Sequence, residues 1–272
     1  MRYNWLFCFV SLYFLACGEE VAKPIAPPSI LPTYTKTDTT VRVLPDETSK
    51  KQDSLRLVAV GNPPDSVAFA KAGIWGYRYS ESEFMLDVRD FVLGNRTKDA
   101  DLRTWQATNK GQHVHINLNN NIHLHTNDRN TTVKIPDGTY TMAAFLVRSY
   151  YESVKQPQAA IFQTVEIRNN TAYKSAAYKS VDIFYGVPMG DYSLKKSAAI
   201  LLDFYIANTR LAPKGNQVRL TINANPPIFI DKWQAYLIYG LNVGTQSIEL
   251  VLVDKKGQAV SQAVRKTFRV LE

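Results

Sequence analysis

Apolar and polar residues alternate with period two over residues 112–118, 216–222 and 245–253. This is the pattern of a strand that turns one face to a core and the other outward. Turn residues separate these segments: Asn119-Asn120-Asn121, Pro136-Asp137-Gly138, Pro213-Lys214-Gly215 and Lys255-Lys256-Gly257. Asn, Asp, Gly and Pro supply the backbone angles and local hydrogen bonds that reverse a chain tightly. No stretch keeps the spacing of an amphipathic helix over three turns or more. The expected class is all-β.

The alternating segments recur. Gly111-Gln-His-Val-His-Ile-Asn-Leu-Asn-Asn-Asn121 reads against Gly215-Asn-Gln-Val-Arg-Leu-Thr-Ile-Asn-Ala-Asn225 at a constant offset of 104. Val114, Ile116 and Leu118 meet Val218, Leu220 and Ile222, while Asn119 and Asn121 meet Asn223 and Asn225. Gly138-Thr139 with Met142, Ala144 and Leu146 meets Gly244-Thr245 with Ile248, Leu250 and Leu252 at offset 106. Upstream, Leu86-Asp87 meets Leu202-Asp203 at offset 116. One order of elements occurring twice predicts two copies of a domain. Short strands with turns at this spacing point to two tandem immunoglobulin-like β-sandwich domains, over residues 54–175 and 176–272. No cysteine pair is placed to pin the sheets, so packing must hold them, with Trp105 and Trp233 as candidate core aromatics.

The first residues break the pattern. Met1-Arg2-Tyr3-Asn4 carries one positive charge, and Trp5 to Ala16 is a twelve-residue apolar stretch interrupted only by Ser11. That suits the core of a signal peptide and is shorter than the roughly 20 residues needed to cross a bilayer. It ends in Phe14-Leu15-Ala16-Cys17-Gly18, which resembles the bacterial lipobox, with Phe14 standing where that pattern prefers Leu. The reading is a signal peptide over 1–16 and lipidation at Cys17, against a plain secretory signal with an incidental cysteine. Cys8 and Cys17 are the only cysteines. A chain starting at Cys17 would have its one thiol taken by lipid, leaving no disulfide and no thiolate metal site. The best later apolar run, Ala198 to Ala207, is interrupted by Asp203.

Residues 17–53 carry five prolines among Thr, Lys, Glu and Ser. Such a segment buries too little apolar surface to offset its ordering entropy. It is expected to act as an extended tether with a reach on the order of 30 Å. The triplets Asp53-Ser54-Leu55 and Asp65-Ser66-Val67 match the short acceptor pattern of bacterial O-glycosylation. The 272 residues leave room for two domains behind these segments. Their net charge of +8 is spread along the chain, which suits either solubility or contact with anionic lipid, glycan or phosphate.

All four histidines, His113, His115, His123 and His125, fall within thirteen residues. Side chains two apart on a strand share a face. Keeping Val114, Ile116, Leu118, Ile122 and Leu124 on the buried face requires Leu118 to pair with Ile122. His115 then lies opposite His125, and Asn117 opposite His123. Directly opposed side chains stand about 4.5–5.5 Å apart at Cβ. The expected result is an exposed imidazole patch suited to Zn or Cu, or else a solvated polar face.

A second candidate is Arg148-Ser149-Tyr150-Tyr151-Glu152-Ser153-Val154-Lys155, at the end of the strand that closes near Val147. Loops at the ends of sandwiches carry recognition, and Tyr and Arg dominate binding energy. Arg148, Ser149, Tyr150, Tyr151, Glu152 and Lys155 are therefore candidate ligand contacts, against an ordinary polar crossover.

Gly111-Gln-His-Val-His, Asp137-Gly-Thr-Tyr with Ala144 to Lys155, and Leu201-Leu-Asp-Phe-Tyr with Tyr239-Gly-Leu resemble a group of uncharacterised lipoproteins from Bacteroidetes-type bacteria. Members are sometimes labelled phosphopeptide-binding. The resemblance covers about residues 54–272 through structural rather than catalytic motifs, and implies an envelope location with the ligand open.

Enzyme signatures are missing: there is no Gly-x-Ser-x-Gly, no His-Glu-x-x-His and no phosphate-cradling glycine loop. A carboxylate-pair glycosidase leaves no spacing signature to read. The expected function is a non-enzymatic cell-envelope lipoprotein without a cofactor. It would sit on the outer membrane, facing the periplasm or the surface, and be held to the membrane through its N-terminal lipid. The first sandwich would be the binding copy and the second a spacer or partner platform, with an envelope protein, phosphopeptide or glycan as partner and no nucleic acid. The rival expectation is Zn or Cu binding through the four histidines.

Overall fold

A computed structural model of the chain describes residues 54–61, 68–105 and 108–272. The signal segment 1–16, Cys17 and the linker to residue 53 lie outside the described residues, as do Asp53 and the triplet at Asp65.

The strands of the first part are β1 (Arg56–Ala59), β2 (Gly73–Ser80), β3 (Glu83–Arg89), β4 (His113–Leu118), β5 (Ile122–Thr126), β6 (Asn130–Thr132), β7 (Gly138–Val147), β8 (Ala160–Arg168) and β9 (Thr171–Ala177). Those of the second are β10 (Asp182–Val187), β11 (Gly190–Ser193), β12 (Ile200–Ala207), β13 (Gln217–Ile222), β14 (Ile228–Ile230), β15 (Tyr236–Tyr239), β16 (Gly244–Val253) and β17 (Val264–Leu271). They form two immunoglobulin-like sandwiches. The first packs sheet β2-β3-β6 on sheet β5-β4-β7-β8-β9, and the second packs β1-β15-β12-β10 on β11-β17-β16-β13-β14. Ile74, Phe84, Leu86 and Val88 meet Val114, Ile116 and Leu146 in the first core. Ile183, Leu202 and Phe204 meet Val218, Leu250 and Phe268 in the second. Each such side chain contributes about 1.5–3 kcal/mol on burial.

The duplication holds at the level of hydrogen bonds. Val114, Ile116 and Leu118 pair with Leu146, Ala144 and Met142, and their equivalents Val218, Leu220 and Ile222 pair with Leu252, Leu250 and Ile248. Asn119 Oδ1 accepts the Thr141 amide at 2.7 Å, and Asn223 Oδ1 accepts the Ser247 amide at 2.8 Å. Both asparagines are left-handed, with φ of 54° and 52°, a conformation their short polar side chains tolerate. Near the start of β7 the Tyr140 hydroxyl donates to the Pro136 carbonyl at 2.9 Å, the tyrosine corner of immunoglobulin-like sandwiches. In the second copy Gln246 makes the same anchor, to the Asn242 carbonyl at 2.9 Å.

The two sandwiches dock face to face. Every position of β4 is buried, and every position of β12, because alternate residues serve two different cores. Ile200, Leu202, Phe204 and Ile206 fill the second sandwich. On the other face, Tyr205 and Ala207 join Phe184 against Ala143, Phe145, Val147 and Ala160 of the first. The five-stranded sheet of the first sandwich therefore packs on the four-stranded sheet of the second, giving four stacked layers. Trp233 lies in this seam 4.7 Å from Tyr205, and Trp105 packs edge-on to Tyr150 at 5.7 Å, so both tryptophans are structural.

The expected domain boundaries shift. β1 pairs with β15, from Arg56↔Tyr239 to Ala59↔Tyr236, so residues 56–59 belong to the second sandwich rather than heading the first. β9 continues to Ala177 on the edge of the first sandwich, two residues past the boundary expected at 175.

Candidate functional site

The histidine hairpin has the register that the alternation demands: His115↔His125, Asn117↔His123 and Leu118↔Ile122. Its setting differs. His113 and His115 are 3% and 2% exposed, so the expected exposed patch is corrected to a cluster at the seam. The odd-numbered face of β4 looked polar enough for water, but it turns toward the second sandwich instead. Asn117 Nδ2 donates to the Tyr185 carbonyl of β10 at 3.0 Å. Only His125 is substantially open to solvent.

Hydrogen-bond partners fix the ring tautomers. His123 Nε2 lies 3.2 Å from the Asn120 carbonyl, an obligate acceptor, so the proton sits on Nε2 and Nδ1 holds a lone pair. That lone pair accepts from His115 Nε2 at 2.9 Å. Burial first, and Lys266 second, push His123 down to about 4. Burial, then the neighbouring imidazoles, hold His115 well below the ordinary histidine value. His125 is also lowered, by desolvation and then by His113 and His123. Burial lowers His113 as well, partly offset by its hydrogen bond to Gly111. All four rings are neutral at pH 7. The His113 anchor depends on glycine: Gly111 has φ of +81°, and a Cβ there would lie 2.1 Å from the Gly94 carbonyl oxygen.

The Arg148–Lys155 segment is likewise drawn inward, as an ordinary polar crossover would be, so most of its candidate ligand contacts are turned away from solvent. Arg148 and Glu152 are 3% and 5% exposed, Ser149 and Tyr150 0%. A tight turn with Tyr151 at φ +67° aims these side chains at the protein. Arg148 pairs with Glu152 at 3.4 Å and covers the Phe69 ring at 4.7 Å. Ser149 exchanges hydrogen bonds with Thr97, and the Tyr150 hydroxyl reaches Asp99 at 3.1 Å. Burial raises the Tyr150 hydroxyl well above its ordinary value. Lys155 crosses the seam to pair with Asp203 of β12, and Ser153 Oγ donates to the same carboxylate at 2.6 Å. Tyr151 is the half-buried exception, lying over His113 with ring centres 5.6 Å apart.

The sequence reading missed the partners from the second copy: Asp203, Lys266, Met189 and Tyr192. Asp203 had left a signal, a carboxylate inside the apolar run Ala198 to Ala207. Its equivalent Asp87 stays at the surface beside Arg89, so the second copy's burial follows from docking. Among the hollows along the seam, two reach the histidines or the asparagine turn. One, about 300 Å³, is lined by Lys110, His113, His125 and Tyr151 from the first sandwich and by Met189 and Tyr192 from the second. The other, about 830 Å³ and mostly polar, runs between the Asn119–Asn121 turn, Tyr178, Asp182 and the loop from Ala259 to Arg265. Among the described residues no three His, Cys, Asp or Glu side chains stand in a metal-holding group. No helix among them is long and apolar enough to cross a membrane.

No family model matches this chain, and no curated protein matches it. Among solved structures, the fibronectin(III)-like modules of Clostridium thermocellum CbhA are similar at 10% identity. The match covers 70% of this chain and 84% of that chain, with a TM-score of 0.27. The immunoglobulin-like assignment rests on the strand pairing described above.

Proposed function

We propose that this protein is a non-enzymatic lipoprotein of the bacterial cell envelope, held to a membrane by lipid on Cys17, whose docked sandwiches serve as a rigid binding or spacing module. The observation that carries the reading is the seam. A grouping that could supply a nucleophile and a base, Ser153 with Lys155 and Asp203, is sealed there, with Ser153 at 0% exposure. Such groups fix one arrangement of the two sandwiches instead of meeting a substrate. The anchor rests on Phe14-Leu15-Ala16-Cys17-Gly18, and the outer-membrane location on the resemblance to envelope lipoproteins. Metabolic labelling with an alkynyl fatty acid tests it. The wild-type chain should take up label and fractionate with membranes, and Cys17→Ser should lose both. Unlabelled wild-type protein would remove the anchor.

A second reading, glycan or phosphopeptide recognition, is favoured by the polar hollow. Asn121, Tyr178, Asp182, Gln262 and Arg265 line it and offer the donors and acceptors that such ligands need. Array screening with Arg265→Ala and Gln262→Ala as controls separates the two. Hits that survive both substitutions would place recognition elsewhere.

A further inference from the structure

The histidine cluster divides unequally. His115 and His123 hydrogen-bond to each other, and His123 also to Asn120. His113 is left with an unmet group. Its Nδ1 lies 3.1 Å from the Gly111 carbonyl, which can only accept, so the proton sits on Nδ1 and Nε2 carries the lone pair. That Nε2 is buried and has no hydrogen-bond partner. Leaving a buried acceptor unsatisfied is unfavourable, which makes the position a place to look for a ligand. A backbone carbonyl holding the far nitrogen is also the arrangement that orients metal-binding imidazoles.

The surroundings name the ligand. His125 lies with its ring centre 5.1 Å from that of His113, and both side chains line the hollow of about 300 Å³ to which the second sandwich contributes Met189. No carboxylate or thiol lines it, and Lys110 does. Imidazole with thioether is a soft donor set that favours Cu(I). Zn(II) asks for four ligands in structural sites, and a divalent ion meets more repulsion from Lys110 than a monovalent one. We propose that His113 and His125, joined by Met189 across the seam, form a binding site for Cu(I).

The test is an anaerobic competition titration of the full chain against bicinchoninate-bound Cu(I). Cys8→Ser and Cys17→Ser are included so that no thiol competes. The expected result is one equivalent of Cu(I) withdrawn per chain, with at least tenfold weaker uptake in His125→Asn, Met189→Leu and His113→Gln. His125 reaches solvent and Met189→Leu conserves volume, so those two variants decide the matter even where His113→Gln fails to fold. No withdrawal of Cu(I), uptake unchanged by His125→Asn and Met189→Leu, or Zn(II) bound as tightly as Cu(I) would each overturn the proposal.

Discussion

Protonation of buried imidazole is where single residues govern this molecule. An unfolded chain takes up protons on its histidines near the ordinary value of 6.5, whereas folded His115 and His123 resist, the latter down to about 4. Between those values the unfolded state binds more protons, so stability falls as pH falls below 6.5 and is fully present above it. Linkage allows up to about 1.4 kcal/mol per pH unit for each ring so held. The urea midpoint of the metal-free chain should stay level from pH 8 to 7 and drop from 6.5 to 5, above the range where carboxylates titrate. His123→Gln should flatten part of that slope. A level midpoint down to pH 5 would show that the rings protonate freely. The seam's ion pair makes a second claim at this scale. Lys155 and Asp203 have side chains 9% and 1% exposed, so Lys155→Met leaves a buried carboxylate without its countercharge. Equilibrium unfolding should show a loss of about 3–5 kcal/mol. Lys155→Met with Asp203→Asn should cost less than the two single changes summed, and strict additivity would mean the pair is not coupled.

At the scale of strands, the edge of β10 shows how turn and sheet cooperate. β10 is a border strand of its sheet, and an uncovered border offers free backbone groups to other chains. Asn120 covers it as a strand would: its Nδ2 donates to the Ile183 carbonyl at 2.9 Å, and its Oδ1 accepts the Tyr185 amide at 2.8 Å. Asn120→Ala should cost about 1–3 kcal/mol and speed hydrogen exchange at the Tyr185 amide, with the amides of β13 as an unaffected reference. Unchanged exchange at Tyr185 would mean that something else covers the edge. The hairpin that carries Asn120 was readable from sequence down to its register, because apolar residues at even positions admit one pairing across three asparagines. Its surroundings were not. Alternation reports that two faces differ, and a face of His, His and Asn reads as solvent unless the partner is known. The partner strands β10 and β12 begin more than fifty residues after the hairpin ends, and nothing local to the hairpin points to them.

The whole molecule is legible in its parts and hidden in their docking. The repeat at offsets 104 and 106 gave both sandwiches, since each copy keeps its own apolar face. The contact between copies uses residues that the repeat does not share: Phe145 is fully buried against Tyr205, with ring centres 5.1 Å apart. Its equivalent in the other copy is a valine, Val251, 2% exposed. Inner sheets that share a core should melt together. Differential scanning calorimetry of the wild-type chain should give one transition whose calorimetric and van't Hoff enthalpies agree. Phe145 faces the seam rather than the first core, so Phe145→Asp buries an unpaired charge only while the sandwiches stay docked. Undocking relieves that cost and leaves each separate core intact. The variant should therefore show two transitions and a larger radius of gyration by small-angle scattering. A single transition with an unchanged radius would mean that β1, pairing with β15 before the chain reaches the first sandwich, holds the assembly together without the seam.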